Sequence, residues 1–275
     1  MAQRQWASNR RQIANATVAE TPAIVAAHAA VGASASSIFY ETVPALDRAA
    51  CPNFTHPRRT VVVAADTYAT ARDLIHNHGA AAHQTAVLNL ASNMAPGGFW
   101  LQTLCETQEE ALCYSSTLFG TLDTCHYPWP NTAASGIFSP GVAVHRDTLA
   151  NACALLPAAD VVVLGVITVA APRNPRLTHD RRSFMDPAME AAMREKVRAV
   201  FRMAALHGRT NLVLGAMGCG VFSCPKEGVA RIMTDVLLEA EFAGWFERVW
   251  YAVFDPVGDG NSGVFGQLCG DVEFQ

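Results

Sequence analysis

The chain has 275 residues, 51% of them hydrophobic, which is enough for one large domain with a sizeable core or two small ones. Its net charge of −4 and isoelectric point near 6.1 exclude the general basic footprint of a duplex nucleic-acid binder, whose contact faces cluster Lys and Arg. The eight cysteines form no CxxC pair and no zinc-ligand spacing, so they read as reduced, mostly buried thiols rather than a metal site. The N-terminus has no apolar signal segment, and no apolar run reaches the roughly 18 to 20 residues that span a bilayer. A soluble intracellular protein without membrane association is expected.

Residues 1–58 are rich in Ala and Ser with loose helical spacing, and are expected to form a helical accessory segment ahead of a main domain at 59–275. Thr21-Pro22 has the form of an N-cap followed by proline at the first helical position, which predicts a helix through Ala30 that Gly32 ends. The turn-like run Cys51 to Pro57 leads into the core. Thr60 to Ala64 is a β-branched run of the kind found in a strand buried on both faces. A helix follows over Tyr68 to His78, with Gly79 as its stop. Further strands are predicted over 85–90, 137–145, 161–169, 211–216 and 249–254. Strong helical patterns lie over 187–207, closed by Gly208, and over 225–240. Strands alternating with helices argue for an α/β layered domain with a mainly parallel or mixed sheet and helices on both faces. Ligands in such sheets sit beyond the carboxyl ends of the strands, which points to the loops after Ala64, Leu90, Val169 and Ala216.

Three of these loops carry unusual sequence. After Leu90 come Pro96-Gly97-Gly98, where backbone without a Cβ either makes a tight turn or admits a ligand closely. Thr107-Gln108-Glu109-Glu110 then fits a capping box with Thr107 as N-cap. Glu109 and Glu110 either serve only to start that helix or form a carboxylate pair for acid and base work on a glycosidic bond. A general acid needs a raised pKa, whereas a helix N-terminus lowers it, so catalysis by Glu110 requires burial or a neighbouring carboxylate to oppose the dipole. After the strand at 211–214, Gly215 to Phe222 is a glycine-dense loop that can aim successive N–H groups at a diphosphate. It lacks the Lys-Ser/Thr of a P-loop, and its glycine spacing is not GxGxxG. Cys219 stands near a helix start without an obvious base partner, and Phe222 either stacks on a ligand or joins the core. Thr168 to Pro172 leads into a basic loop with four arginines between residues 173 and 182, either a solvated loop or a rim for a polyanion. Asp66-Thr67 either contacts an adenine amino group or caps the next helix.

Taken together, Leu88-Asn89-Leu90-Ala91-Ser92, Pro96-Gly97-Gly98-Phe99, Gln108-Glu109-Glu110-Ala111-Leu112-Cys113, Gly215 to Phe222 and Thr168 to Pro172 resemble the microbial-type poly(ADP-ribose) glycohydrolases, a branch of the macrodomain fold. The resemblance implies a macrodomain-like three-layer α/β/α fold with a mixed sheet and an N-terminal helical extension. It implies an enzyme that cleaves ribose–ribose bonds from chain ends to release ADP-ribose, with ADP-ribose, its polymer and ADP-ribosylated proteins as partners and no metal or cofactor. A reader that binds ADP-ribose without cleaving it is the alternative, and hydrolysis of a related ADP-ribosyl conjugate is another. Glu110 would be the catalytic carboxylate and Glu109 would position the ribose. Asn89, Asn93, Gly97, Gly98, Asp66, Thr67, Gly218, Cys219, Gly220, Val221 and Phe222 would contact the ligand. The chain departs from the family pattern where Phe99 replaces a third glycine, where Gln102-Thr103-Leu104 precede the glutamates, and at Ser92. A phenyl ring at 99 is expected either to block the phosphate path or to move the loop.

Overall fold

The computed structural model describes residues 2–130, 134–256 and 258–275, with side chains from residue 9 onward. The first half of the chain forms α1 (Ala2–Ala27), β1 (Ile38–Tyr40), β2 (Arg58–Arg59), β3 (Val61–Val63), α2 (Thr67–His76), β4 (Thr85–Leu90), α3 (Trp100–Thr103) and α4 (Gln108–Ser115). There follow β5 (Gly136–Val144), β6 (Val162–Val169), α5 (Pro187–Leu206), β7 (Asn211–Leu214), α6 (Lys226–Leu237), β8 (Arg248–Ala252), α7 (Asn261–Cys269) and β9 (Glu273–Phe274). The main sheet runs β1-β5-β6-β4-β7-β8-β3, and β2 pairs with β9 in a separate ribbon. From β6 to β3 every neighbouring pair is parallel, while β5 and β1 add an antiparallel edge, so the sheet is mixed.

Helices cover both faces, giving three layers. Ala86 and Leu88 of β4 pack with buried residues of α5, α6 and α7, whereas Val87 packs with those of α1, α2, α3 and α4. This alternation is the two-residue period of a strand covered on both sides. The eight residues of β6 are all buried, which is why its sequence reads as an unbroken apolar run. The arrangement is macrodomain-like, with a helical N-terminus.

Local chemistry explains several element boundaries. Asp66 caps α2, its Oδ1 accepting from the N–H groups of Tyr68 at 2.8 Å and Ala69 at 3.0 Å. Removing such an acceptor costs about 1 kcal/mol, so Asp66→Ala is expected to lower the urea midpoint with an unchanged slope, and an unshifted midpoint would contradict the cap. Asp186 caps α5 through Ala188 N–H, and Gly208 follows that helix at φ 63°.

Three expectations need correction. Helix α1 does not start at Thr21-Pro22 but runs from Ala2 to Ala27 with Pro22 inside it. Proline removes one helical hydrogen bond, and packing sustains the helix through it: Ala14 and Thr17 are buried, Thr17 Oγ1 donates to Tyr114 O at 3.1 Å, and Glu20 pairs with Arg146 at 2.6 Å. The β-branched run at β3 is not buried on both faces. It is the sheet's edge strand, with all three valines half-buried, because β propensity reports a fit to the pleat and not a position in the sheet. The segment before residue 58 also supplies β1, a second sheet edge that its short polar surroundings conceal. Helix α7 was likewise not legible: its sequence carries two glycines, and Asp255 Oδ2 holds its start by accepting from Gly260 N–H at 2.9 Å.

Candidate active site

Strands β4 and β6 end together, Leu90 opposite Val169, with β7 on the other flank of β4. Their following loops therefore converge at one edge. A Cβ on Gly215 would sit 3.3 Å from Leu90 Cδ1, and one on Gly218 would sit 2.6 Å from Ala171 Cβ. The loop after β7 thus lies against both the end of β4 and the loop after β6.

The turn after β4 is left-handed through three successive residues. Gly97 and Gly98 have φ of 61°, and Phe99 keeps the same hand at φ 68°. This conformation costs an L-residue roughly 1–2 kcal/mol, so Phe99 is a strained position. The residue is 47% exposed. The backbone at Phe99 continues the left-handed path of the two glycines before it. Beneath the turn, Trp100 is fully buried and meets Tyr114 and Phe119 edge-on at 4.9 and 5.5 Å. A Cβ on Gly97 would come within 2.6 Å of Trp100 Cδ1, which is why glycine is needed there.

Helix α4 begins with the expected capping box, in which Thr107 Oγ1 accepts from Glu110 N–H and Glu110 Oε2 accepts from Thr107 N–H, both at 3.4 Å. Gln108 bridges to β4 as a surrogate for backbone: its Oε1 accepts from Leu90 N–H at 2.9 Å, and its Nε2 donates to Leu88 O at 2.8 Å and to Thr67 Oγ1 at 3.1 Å. Glu109 is 3% exposed. Its carboxyl accepts from Ser92 N–H at 2.7 Å and Asn89 Nδ2 at 3.4 Å, and from Gly97 N–H. Burial nevertheless pushes this carboxyl up to about 8, with the Glu110 charge adding to the rise. Glu109 thereby ties β4, the glycine turn and α4 into one unit.

Glu110 is 2% exposed. Burial raises its pKa against hydrogen bonds from Thr103 and Thr107 and the charge of Arg10, so desolvation here outweighs the stabilisation of the anion at a helix start. Thr103 Oγ1 donates to Glu110 Oε1 at 2.6 Å. Arg11 holds Leu101 O at 3.1 Å and Arg10 holds Glu106 at 2.9 Å, so α1 fixes α3, which carries Thr103, and the loop after it. Removing a donor from a carboxylate disfavours its ionised form. Thr103→Val is therefore expected to move Glu110 ionisation to higher pH while Thr103→Ser leaves it in place, read by carboxyl ¹³C NMR titration; an identical titration in both variants would refute the contact.

In the glycine loop, Cys219 N–H, Ser223 N–H and Cys224 N–H donate to Ala216 O, Gly220 O and Gly218 O at 3.1, 2.9 and 2.9 Å. Among the described residues, the N–H groups of Gly220, Val221 and Phe222 donate to no backbone carbonyl, which leaves three consecutive donors able to face an anion. Val221 is 68% exposed, and Arg173 lies 5.5 Å above the Phe222 ring. Burial raises the Cys219 thiol well above its ordinary range, which opposes a nucleophilic role.

The structure thus brings Asn89, Gly97, Gly98, Glu109 and Glu110 together and sets the glycine loop against the same strand ends. Thr67 joins them through Gln108. Asn89 Nδ2 also donates to Thr168 Oγ1 at 3.2 Å, linking β4 to β6. Asn93 is committed elsewhere, its Nδ2 donating to Trp129 O at 2.6 Å and its carbonyl accepting from Trp129 N–H at 3.1 Å. Sequence reading assigned no role to Gln108 or Thr103, although the first lies within the QEE motif and the second within the noted departure. Among the described residues no group of three or more His, Cys, Asp or Glu side chains is placed to hold a metal ion, and no helix is long and apolar enough to cross a membrane.

The family model described as microbial-type PARG, catalytic domain, matches residues 19–147. Poly(ADP-ribose) glycohydrolase from Thermomonospora curvata is 31% identical, with a TM-score of 0.74 over 94% of this chain and 98% of that one. The same relative bound to the inhibitor ADP-HPD matches equally, at 31% identity and a TM-score of 0.74 over 94% and 98%. The enzyme from Deinococcus radiodurans in complex with ADP-ribose is 34% identical, with a TM-score of 0.66 over 80% of this chain and 86% of that one. No curated protein matches. With near-complete mutual coverage by a relative of this identity, a carboxylate pair at the head of α4 and an open-amide glycine loop at the adjoining strand end, the chain belongs to the microbial-type poly(ADP-ribose) glycohydrolase family.

Proposed function

We propose that the protein is a poly(ADP-ribose) glycohydrolase that hydrolyses the ribose–ribose bond at chain ends and releases ADP-ribose. The observation that carries this reading is Glu110, a carboxyl group with its pKa raised by burial, linked through Thr103 Oγ1 to Phe99 O at the end of the left-handed turn. A raised pKa keeps a proton available for the leaving ribose oxygen, and the resulting carboxylate then activates water against an oxocarbenium-like centre. Glu109, buried and bound by Ser92, Asn89 and Gly97, orients the turn and the ribose. Gly97 and Gly98 let the ligand approach backbone, and the amides of Gly220 to Phe222 receive the diphosphate without a metal. Phe222 orders the terminal ribose, and Asp66 and Thr67 stand on the adenine side. All eight cysteines are free, which suits a reducing intracellular compartment. Incubation with labelled poly(ADP-ribose) tests the reading: release of monomeric ADP-ribose is expected, while binding of ADP-ribose without release would make the protein a reader instead.

A further inference from the structure

The chain has 20 Lys and Arg residues, and only two of them, Lys196 and Lys226, are lysines. Lys226 opens α6 directly after the glycine loop, and its Nζ donates to Asp259 O at 2.6 Å. Lys196 lies in the middle of α5 and is fully buried. Removing an ammonium group from water is costly, and lysine is almost never found wholly inside a protein. Arginine, which this chain uses at every other such cationic position, keeps its charge in any environment. Lysine gives up and regains a proton as its surroundings change.

Lys196 sits under the feet of the loops after β6 and β7. Met193, Val197 and Val200, which share its face of α5, belong to one core cluster with Ala171 of the first loop and Met217 and Cys224 of the second. Lys196 and Cys224 act on each other electrostatically. Cys224 ties both loops together: its Sγ donates to Pro172 O at 3.1 Å, and its N–H donates to Gly218 O at 2.9 Å. The open amides of Gly220, Val221 and Phe222 lie within the turn that this last bond closes. Lys196 thus stands on the core side of a segment whose other side reaches solvent at Val221. Burial pushes the Lys196 ammonium down to about 8. Cys224 faces it with a thiol that burial pushes up to about 12. Around the neighbouring Cys219 stand Cys269, Lys226 and Glu227, the last paired with Arg182 at 3.6 Å.

We propose that Lys196 is a buried counter-charge for the diphosphate, acting from beneath the glycine loop without touching the ligand, so that binding draws a proton onto it. The inference rests on the reading that a diphosphate occupies the amides of Gly220 to Phe222. A diphosphate joining two sugars keeps both negative charges through the neutral and alkaline range. Lys196 is shut away from water, so its attraction for those charges is screened less than that of a surface cation. The coupling is reciprocal: the anion holds the proton on Lys196, and the ammonium holds the anion. Affinity is therefore complete below about pH 8, where Lys196 is charged before the ligand arrives. It falls as pH rises through 8, because binding must then bring a proton with it. Lys196 is accordingly a positioning residue and not a catalytic one.

With two lysines in the chain, protein labelled at lysine ¹³Cε gives two resonances, and Lys226→Arg assigns them by removing one. In otherwise wild-type protein the Lys196 resonance is expected to titrate near pH 8. Its midpoint should rise by about one pH unit or more on saturation with monomeric ADP-ribose, the shift that a nearby opposite charge produces. Lys196→Met replaces the ammonium with an apolar chain, a change that is often neutral for stability. By linkage it should weaken ADP-ribose binding about tenfold near pH 6 and flatten the loss of affinity between about pH 7 and 9. Glu109, also raised to about 8, is present in both proteins, so the difference between their pH profiles belongs to Lys196. A Lys196 midpoint unmoved by bound ADP-ribose overturns the proposal, and so does a loss of affinity in Lys196→Met that is the same at every pH, which makes Lys196 a packing support only. Absence of any ADP-ribose binding removes the diphosphate reading together with this one, whereas binding with an unmoved midpoint removes this one alone.

Discussion

Glu110→Ala and Glu110→Gln are each expected to reduce release of ADP-ribose from poly(ADP-ribose) by about 10²–10⁴-fold, the usual contribution of a positioned acid and base. The loss should not come from unfolding. In either variant Glu110 N–H still has Thr107 Oγ1 to donate to, and Thr103 Oγ1 still reaches Phe99 O at 3.1 Å. The alanine variant loses the reciprocal half of the capping box, about 1 kcal/mol, and the Thr103 Oγ1 bond to Glu110 Oε1. Deleting a carboxyl group that burial disfavours offsets part of that cost. Monomeric ADP-ribose should bind both variants within a few-fold of wild type if, as proposed, the diphosphate meets the open amides of Gly220 to Phe222 and not Glu110. Turnover by Glu110→Gln at the wild-type rate would remove Glu110 from the mechanism.

Gly218→Val should weaken ligand binding about 100-fold through the shape of the loop after β7. At φ 75° a β-branched residue is a steric outlier. Its Cβ would lie 2.6 Å from Ala171 Cβ and 2.8 Å from Cys224 Sγ, so the loop must part from the end of β6. Left-handed backbone costs roughly 1–2 kcal/mol and overpacking about 1–3 kcal/mol. Relief of that strain displaces the segment holding the Gly220, Val221 and Phe222 amides. A penalty of about 3 kcal/mol on the binding-competent loop weakens ADP-ribose affinity about 100-fold. Calorimetry reads the affinity and thermal unfolding reads the fold. A Cβ on Gly220 meets nothing within 4 Å, so Gly220→Ala should unfold at the wild-type temperature. Wild-type affinity in Gly218→Val would show that the loop does not hold the diphosphate.

The carboxylate pair also sets a pH trend. Glu109 has a folded-state pKa near 8 against 4.5 for the free side chain. The folded state therefore holds the proton more tightly, and the stability it contributes is complete below about pH 4.5 and lost as pH rises through 8. The donors that bind Glu109, two backbone N–H groups of the loop after β4 and the Asn89 amide of the strand itself, are those of an organising group, whereas Glu110 is held by the threonines Thr103 and Thr107. Adjacent residues of one capping motif thus differ in chemistry because helix geometry sends them to different neighbours.

Chain order and short-range chemistry determined much of this protein. The capping box at Thr107, the asparagine-bearing strand end at Asn89, the buried run of β6 and the caps at Asp66 and Gly208 were legible because each rests on neighbours within a few residues. So was the family, since its motifs are local and ordered. Tertiary structure alone decided the rest. It placed the β-branched run of β3 at a sheet edge, carried α1 through Pro22 by packing it on α4, and recruited Ile38 to Tyr40 as an edge strand. It kept Phe99 in the left-handed path of the glycines before it, raised both glutamates by burying them against the helix dipole, and brought Thr103 and Arg10 to Glu110. Those outcomes depend on which distant surfaces exclude water and which donors arrive with them, and desolvation is a property of the assembled fold that no stretch of sequence carries by itself.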